Sequence, residues 1–127
     1  MEKDYKNWHI LKENINNKDK EIYFKEREIW FCYFGCNIGY EQDGKGNKFL
    51  RPVVIIKKIN KKIFIAIPLT TKIKNLKYSY NFNFNNKENC AIIYQIKLMD
   101  KKRLLTKIGK LSNENFINIK NSLKQMF

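Results

Sequence analysis

Arg51 is one of only three arginines among 26 basic residues; the other 23 are lysines. It stands where a glycine-rich stretch, residues 35–50, meets the β-branched run Val53-Val54-Ile55-Ile56, and Pro52 fixes the backbone beside it. A guanidinium held at such a junction can grip a phosphate through two parallel N–H bonds and stabilise negative charge developing on it. Thr70 and Thr71 follow the next apolar run, Ile63-Phe64-Ile65-Ala66-Ile67, after Pro68-Leu69. If the two runs pair as a hairpin, the start of one lies near the end of the other, and Arg51 and Thr70 meet at one rim. On residue type alone, a solvated arginine and an ordinary turn threonine are the simpler description.

Other chemistries have less support. Gly39-Tyr40-Glu41-Gln42-Asp43-Gly44-Lys45-Gly46 comes within one residue of a phosphate-binding P-loop. Gly46 stands where that motif needs Ser or Thr, and a strand pattern follows where it needs a helix. Asp43-Gly44-Lys45-Gly46-Asn47 lacks the second acid and the terminal Glu of a calcium loop. The one histidine, His9, lies far from the rest of the candidates, so a histidine-based nucleophilic site is not expected. Three separated cysteines, Cys32, Cys36 and Cys90, make neither a zinc site nor a disulfide framework. Cys32 and Cys90 read as core residues, and thiols of this kind fit a reducing cytoplasm. Residues 27–127 hold six acids, few for two-metal hydrolysis. No metal or cofactor is expected, and catalysis would fall to Arg, Lys, Thr or Tyr acting on an anion.

The net charge of +14 points the same way, with a discount. The 23 Lys, 18 Ile and 17 Asn are what AT-rich coding writes into any protein. Residues 1–26, however, are neutral, with six Lys against six acids, whereas residues 44–110 carry 17 basic groups against Glu88 and Asp100. Local depletion of acids favours a phosphate-facing surface. The longest apolar run, Ile63 to Leu69, is too short to span a bilayer, and the charged start of the chain gives no sign of export.

The elements that must position these residues follow from periodicity. Tyr5, Trp8, Leu11 and Ile15 predict one amphipathic helix, ended by Asn16-Asn17-Lys18-Asp19. Strands are predicted at 29–34, around 53–56, at 63–67 with Pro68 as the stop, at 78–84, at 91–96 and at 104–111. Asn85-Asn86-Lys87-Glu88 reads as a turn, and Ser112 as the N-cap of a closing helix lined by Phe116, Ile119, Leu123 and Met126. The division is an N-terminal helical appendage, 1–26, and a domain, 27–127: a mainly β protein, a small β-barrel with a docked C-terminal helix and an extra N-terminal one.

Taken in order, these residues resemble the PemK/MazF toxins of type II toxin–antitoxin systems. The resemblance runs from Glu28-Ile29-Trp30 through Gly39-x-Glu41-Gln42 and Arg51-Pro52-Val53-Val54-Ile55-Ile56 to Pro68-Leu69-Thr70-Thr71-Lys72-Ile73-Lys74. It continues in Gln95-Ile96-Lys97-Leu98-Met99-Asp100-Lys101-Lys102-Arg103-Leu104, Ile108-Gly109-Lys110-Leu111-Ser112 and the closing helix. It implies an SH3-like barrel of the CcdB/PemK/MazF kind, a homodimer, and a sequence-specific, metal-independent endoribonuclease for single-stranded RNA. In such a reaction the 2′-hydroxyl attacks the neighbouring phosphate, leaving a 2′,3′-cyclic phosphate and a 5′-hydroxyl.

Carried over by position, Arg51 and Thr70 become the catalytic pair, and Gly39, Glu41, Gln42, Lys45, Thr71 and Gln95 the RNA contacts. A cognate antitoxin, with a disordered and often acidic tail, is the expected partner. Four features depart from the pattern: an eight-residue stretch, Asp43 to Leu50, where two or three residues are usual; Lys97 in place of Arg; Tyr94 where an acid often stands; and residues 1–26. They keep open a catalytically degenerate barrel that binds RNA or protein without cutting. For the N-terminal helix, packing on the barrel is the plainer expectation, and cover of the RNA groove by Trp8 and Leu11 the sharper one.

Overall fold

A computed structural model of the chain describes residues 2–19, 21–73 and 75–127. Among these residues, helix α1 (Tyr5–Asn17) leads into seven antiparallel strands: β1 (Glu28–Tyr33), β2 (Leu50–Lys58), β3 (Ile63–Thr70), β4 (Ser79–Phe84), β5 (Lys87–Ile92), β6 (Lys97–Asp100) and β7 (Leu104–Lys110). Helix α2 (Asn113–Gln125) closes the chain. The strand order is β4-β5-β3-β2-β1-β7, with β6 paired to β3. The end strands β4 and β7 share no ladder in this order, but they meet through side chains: the Phe84 ring lies 2.5 Å from where a Cβ on Gly109 would stand. The result is the expected small barrel-like fold, open along one seam.

Burial on both faces of the central strands explains their near-continuous apolar sequence. Val54 and Ile56 of β2 join Ile29, Ile67, Leu69 and Ala91 in one core, which Phe116 and Ile119 of α2 cover. Val53 and Ile55 join Trp30, Cys32, Phe64 and Met99 in a second core on the other side. Phe24 completes this second core at 1% exposure, its ring 5.0 Å from that of Phe64. Glu28 is a buried carboxylate made tolerable by partners. Burial pushes its pKa up, but the Lys107 ammonium at 2.9 Å, the Lys25 N–H and the Trp30 indole N–H outweigh that and hold it below the usual range.

Three strand expectations need correction. β3 does not stop at Pro68 but runs to Thr70. On one side it pairs with β6 from Ile63 to Ala66 and then with β5 from Leu69. Pro68 falls in the gap between these partners, where a residue without an N–H is tolerated. The strand expected at 91–96 starts earlier, at Lys87, and ends at Ile92; Ile93–Gln95 form one 3-10 turn. The turn before it is correspondingly tighter: Asn85 and Asn86 alone link Phe84 to Lys87, both with positive φ (52° and 60°), as a two-residue hairpin demands. β6 was not expected as a strand, since only Met99 of its four residues is buried. The Ser112 cap of α2 holds, its hydroxyl accepting the Asn115 N–H at 3.1 Å.

Candidate active site

The β2–β3 register sets Val53 opposite Pro68. Carried two residues on, it sets Arg51 across from Thr70. Both side chains line one groove with Phe31, Lys45, Pro52 and Thr71. Arg51 is 5% exposed, and its guanidinium is fixed in plane by two main-chain carbonyls: Nε donates to Asp43 and Nη1 to Leu69 at 3.1 Å. A guanidinium has five N–H donors, so these two bonds leave donor capacity for a ligand. Thr70 is equally buried, and its Oγ1 accepts the Lys72 N–H at 3.1 Å. That bond orients the hydroxyl and leaves its proton for another acceptor.

The stretch between β1 and β2 forms a compact loop beside this groove. The Phe34 and Gly35 N–H groups both donate to the Phe49 carbonyl (2.9 and 3.1 Å), and the Gly44 N–H donates to the Gly35 carbonyl at 2.7 Å. The crossing is so close that a Cβ on Gly44 would fall 1.8 Å from the Phe49 oxygen, so glycine is required there. Lys45 and Leu50 then exchange main-chain bonds (2.7 and 2.9 Å), which absorbs the extra length as a small knot of its own. The loop's acids are engaged within it or by Lys3. Glu41 accepts the Ile38 N–H at 2.9 Å, and Asp43 accepts the Asn37 N–H at 2.6 Å and the Lys3 ammonium at 3.1 Å.

The remaining sequence-predicted residues, Gly39 excepted, collect in a neighbouring recess. Glu41, Gln42 and Gln95 line it with Phe34, Asn37 and Lys97. Gln95 is the tie: its amide oxygen accepts the Gln42 N–H at 3.3 Å, and its amide nitrogen donates to the Tyr40 carbonyl at 3.2 Å. Gly39 (φ 55°) lies at the bend of the loop, and its carbonyl accepts the Lys3 ammonium at 2.9 Å. The predicted residues thus fall into two adjoining groups, Arg51, Thr70, Thr71 and Lys45 in the groove and Glu41, Gln42 and Gln95 in the recess, with Gly39 lining neither.

Arg51, Lys97 and Arg103 all bear electrostatically on the buried Cys32. Burial pushes the Cys32 thiol up to about 12, against the opposing pull of Arg103, Lys97 and Arg51, so it stays neutral. Burial lowers the pKa of each cation in turn; Asp43 counteracts this at Arg51 and Asp100 at Arg103, while Arg103 lowers Lys97 further. Partly desolvated positive charge of this kind attracts phosphate more strongly than solvated lysines do. Sequence reasoning missed Asn37, which lines the recess, and Lys3 and Arg103, which bond to the main chain of the stretch beside it. Arg103, as one of three arginines, carried a signal; Lys3, among 23 lysines, carried none.

Helix α1 packs behind the loop and lines neither the groove nor the recess. Trp8 and Ile15 form a third apolar cluster with Cys36 and Phe49, the Trp8 and Phe49 ring centroids lying 5.6 Å apart. A Cβ on Gly35 would lie 2.4 Å from the Trp8 ring, so the indole sits on bare backbone. On another side of that ring stands Arg103, its guanidinium carbon 5.7 Å from the centroid and its Nη1 donating to the Tyr33 carbonyl at 3.0 Å.

Known structures share this architecture at low sequence identity. MazF from Deinococcus radiodurans aligns with a TM-score of 0.66 at 12% identity, covering 84% of this chain and 97% of that one. An endoribonuclease in complex with its cognate antitoxin from a mycobacterial species gives 0.60 at 15%, covering 79% and 90%. The Mycobacterium tuberculosis toxin MazF-mt6 gives 0.60 at 15%, covering 78% and 94%. No curated protein sequence matches the chain. A family model, described as PemK-like, MazF-like toxin of type II toxin–antitoxin system, matches residues 25–127, the whole sheet and both groups of site residues. The chain belongs to the PemK-like, MazF-like toxins of type II toxin–antitoxin systems.

Proposed function

We propose that the chain is a sequence-specific, metal-independent endoribonuclease acting on single-stranded RNA. The observation that carries this reading is the groove in which a buried, plane-fixed Arg51 and an oriented Thr70 face the same space. The substrate's own 2′-oxygen attacks the adjacent phosphorus and the P–O5′ bond breaks, leaving a 2′,3′-cyclic phosphate and a 5′-hydroxyl. Negative charge builds on the non-bridging oxygens as the phosphorane forms. The Arg51 guanidinium, partly desolvated, meets that charge, and the Thr70 hydroxyl donates to one of the same oxygens. The proton lost by the 2′-hydroxyl and the one gained by the 5′-oxygen balance, with Arg51 assisting the transfer.

Lys45 and Thr71 flank the scissile phosphate, and Glu41, Gln42 and Gln95 in the recess, with Gly39 at the loop's bend, read the neighbouring nucleotides. Residues 27–127 hold the reacting groups and act as a homodimer in the cytoplasm, with residues 1–26 as an appendage. A cognate antitoxin with an acidic tail occupies the basic groove. Expression in a bacterial host tests this reading: the wild type arrests growth and fragments message, and Arg51→Ala relieves both. RNA binding that weakens steeply with salt but yields no cyclic-phosphate ends would mark the alternative, a binding module without catalysis.

A further inference from the structure

Lysines rarely bury their charged heads unless the head is paired. The Lys3 side chain is only 6% exposed. Its ammonium has three donors. It meets the Asn37 carbonyl at 2.6 Å, the Gly39 carbonyl at 2.9 Å and the Asp43 carboxylate at 3.1 and 3.2 Å. All three acceptors belong to the loop between β1 and β2. The same Asp43 carboxylate accepts the Asn37 N–H, and the Asp43 main-chain carbonyl holds Nε of Arg51. One residue therefore takes the Lys3 ammonium on its side chain and the Arg51 guanidinium on its backbone.

The rest of the N-terminal segment supports that contact. The Tyr5 hydroxyl donates to the same Asn37 carbonyl at 2.9 Å. Trp8 is wedged between Gly35 and Phe49, and at the far end of α1 the Lys102 ammonium caps the Asn16 carbonyl at 2.9 Å. The segment is tied at its start, middle and end, and its start bears directly on the loop that aims Arg51.

We propose that Lys3 is a positioning residue of the site: its ammonium latches the 37–43 loop so that the Asp43 carbonyl fixes the Arg51 guanidinium. The proposal rests on reading the groove as the ribonuclease site. Misplacing a reacting group by about 1 Å costs roughly a hundredfold in rate, so a remote latch has a large lever.

The test compares wild type, Lys3→Met, Lys3→Arg and the exposed control Glu2→Gln on a mixed-sequence single-stranded RNA, with kcat and KM measured separately. Lys3→Met keeps the aliphatic stem and loses the donors. Its kcat falls by roughly ten- to a hundredfold with KM little changed. Lys3→Arg, which keeps a donor cation, recovers most of the loss, and Glu2→Gln matches wild type. Hydrogen exchange at the Asn37 and Gly44 amides speeds up in Lys3→Met while β2 and β3 stay protected. An unchanged kcat, or a loss confined to KM, overturns the proposal. A wild-type chain that leaves RNA intact defeats the ribonuclease reading instead; amide exchange then decides the latch alone, faster exchange upholding it and unchanged exchange overturning it.

Discussion

Two adjoining parts of the site are held in place by different means. The groove with Arg51 and Thr70 is built on β2 and β3, adjacent strands whose register sets the two residues opposite each other. The recess is walled by Glu41 and Gln42 on a loop and by Gln95 on a distant 3-10 turn, and what holds that loop comes from far along the chain: Lys3, Trp8 and Gln95. A pair of neighbouring strands positions residues through ladder bonds that any foldable sequence supplies. A loop needs particular side chains for the same service, and each is a single point of failure. The strand pair carries the proposed reacting groups, but Arg51 depends on both parts, since the loop's Asp43 carbonyl holds its Nε; the residues proposed to read nucleotides rest on the loop, the part that is easier to retune.

The largest expected effect is at Trp8. Trp8→Ala removes the ring on which Gly35, Phe49 and Arg103 converge and costs about 3 kcal/mol of unfolding free energy in urea titration. The loop amides of Asn37 and Gly44 lose exchange protection first, and those of β2 and β3 keep theirs. Equal loss in both regions would show that the two are one unit. Thr70→Val, close in shape, removes the hydroxyl from the strand-borne half. Cleavage falls roughly a hundredfold, chiefly in kcat, with only a small change in melting temperature. Gln95→Ala unties the loop-borne half from the recess and has the smallest effect, about tenfold, expressed mainly in KM and in altered cleavage preference. A Gln95→Ala variant that lost kcat with unchanged preference would move Gln95 from reading the RNA to supporting the chemistry.

The contrast also explains what the sequence disclosed. That Arg51 and Thr70 share one groove was legible because a β-branched run, a second apolar run and the arithmetic of a hairpin suffice to pair them; their proposed roles came only from the family resemblance. The burial of β2 and of one face of α2 was legible from Val53–Ile56 and from the spacing of Phe116 and Ile119 for the same local reason; the division into two cores was not. Pro68 misled, since its tolerance depends on a change of partner strand that no local pattern records. β6 stayed hidden because Lys97-Leu98-Met99-Asp100 buries one residue and pairs with a strand some thirty positions earlier. Lys3 was illegible in principle: its role depends on a loop that folds back to meet it, 34 to 40 residues away. The long loop and the N-terminal segment, both departures from the family pattern, stand against each other at Trp8 and Phe49.

The most direct measurement is the end-group chemistry of an RNA oligonucleotide incubated with the purified protein in EDTA, wild type beside Arg51→Ala. The expected result is that wild type leaves 2′,3′-cyclic phosphate and 5′-hydroxyl ends without added metal, and that Arg51→Ala is slower by a factor on the order of a hundred to a thousand. Cleavage that persists undiminished in Arg51→Ala, or that starts only when a divalent metal is restored, would contradict it.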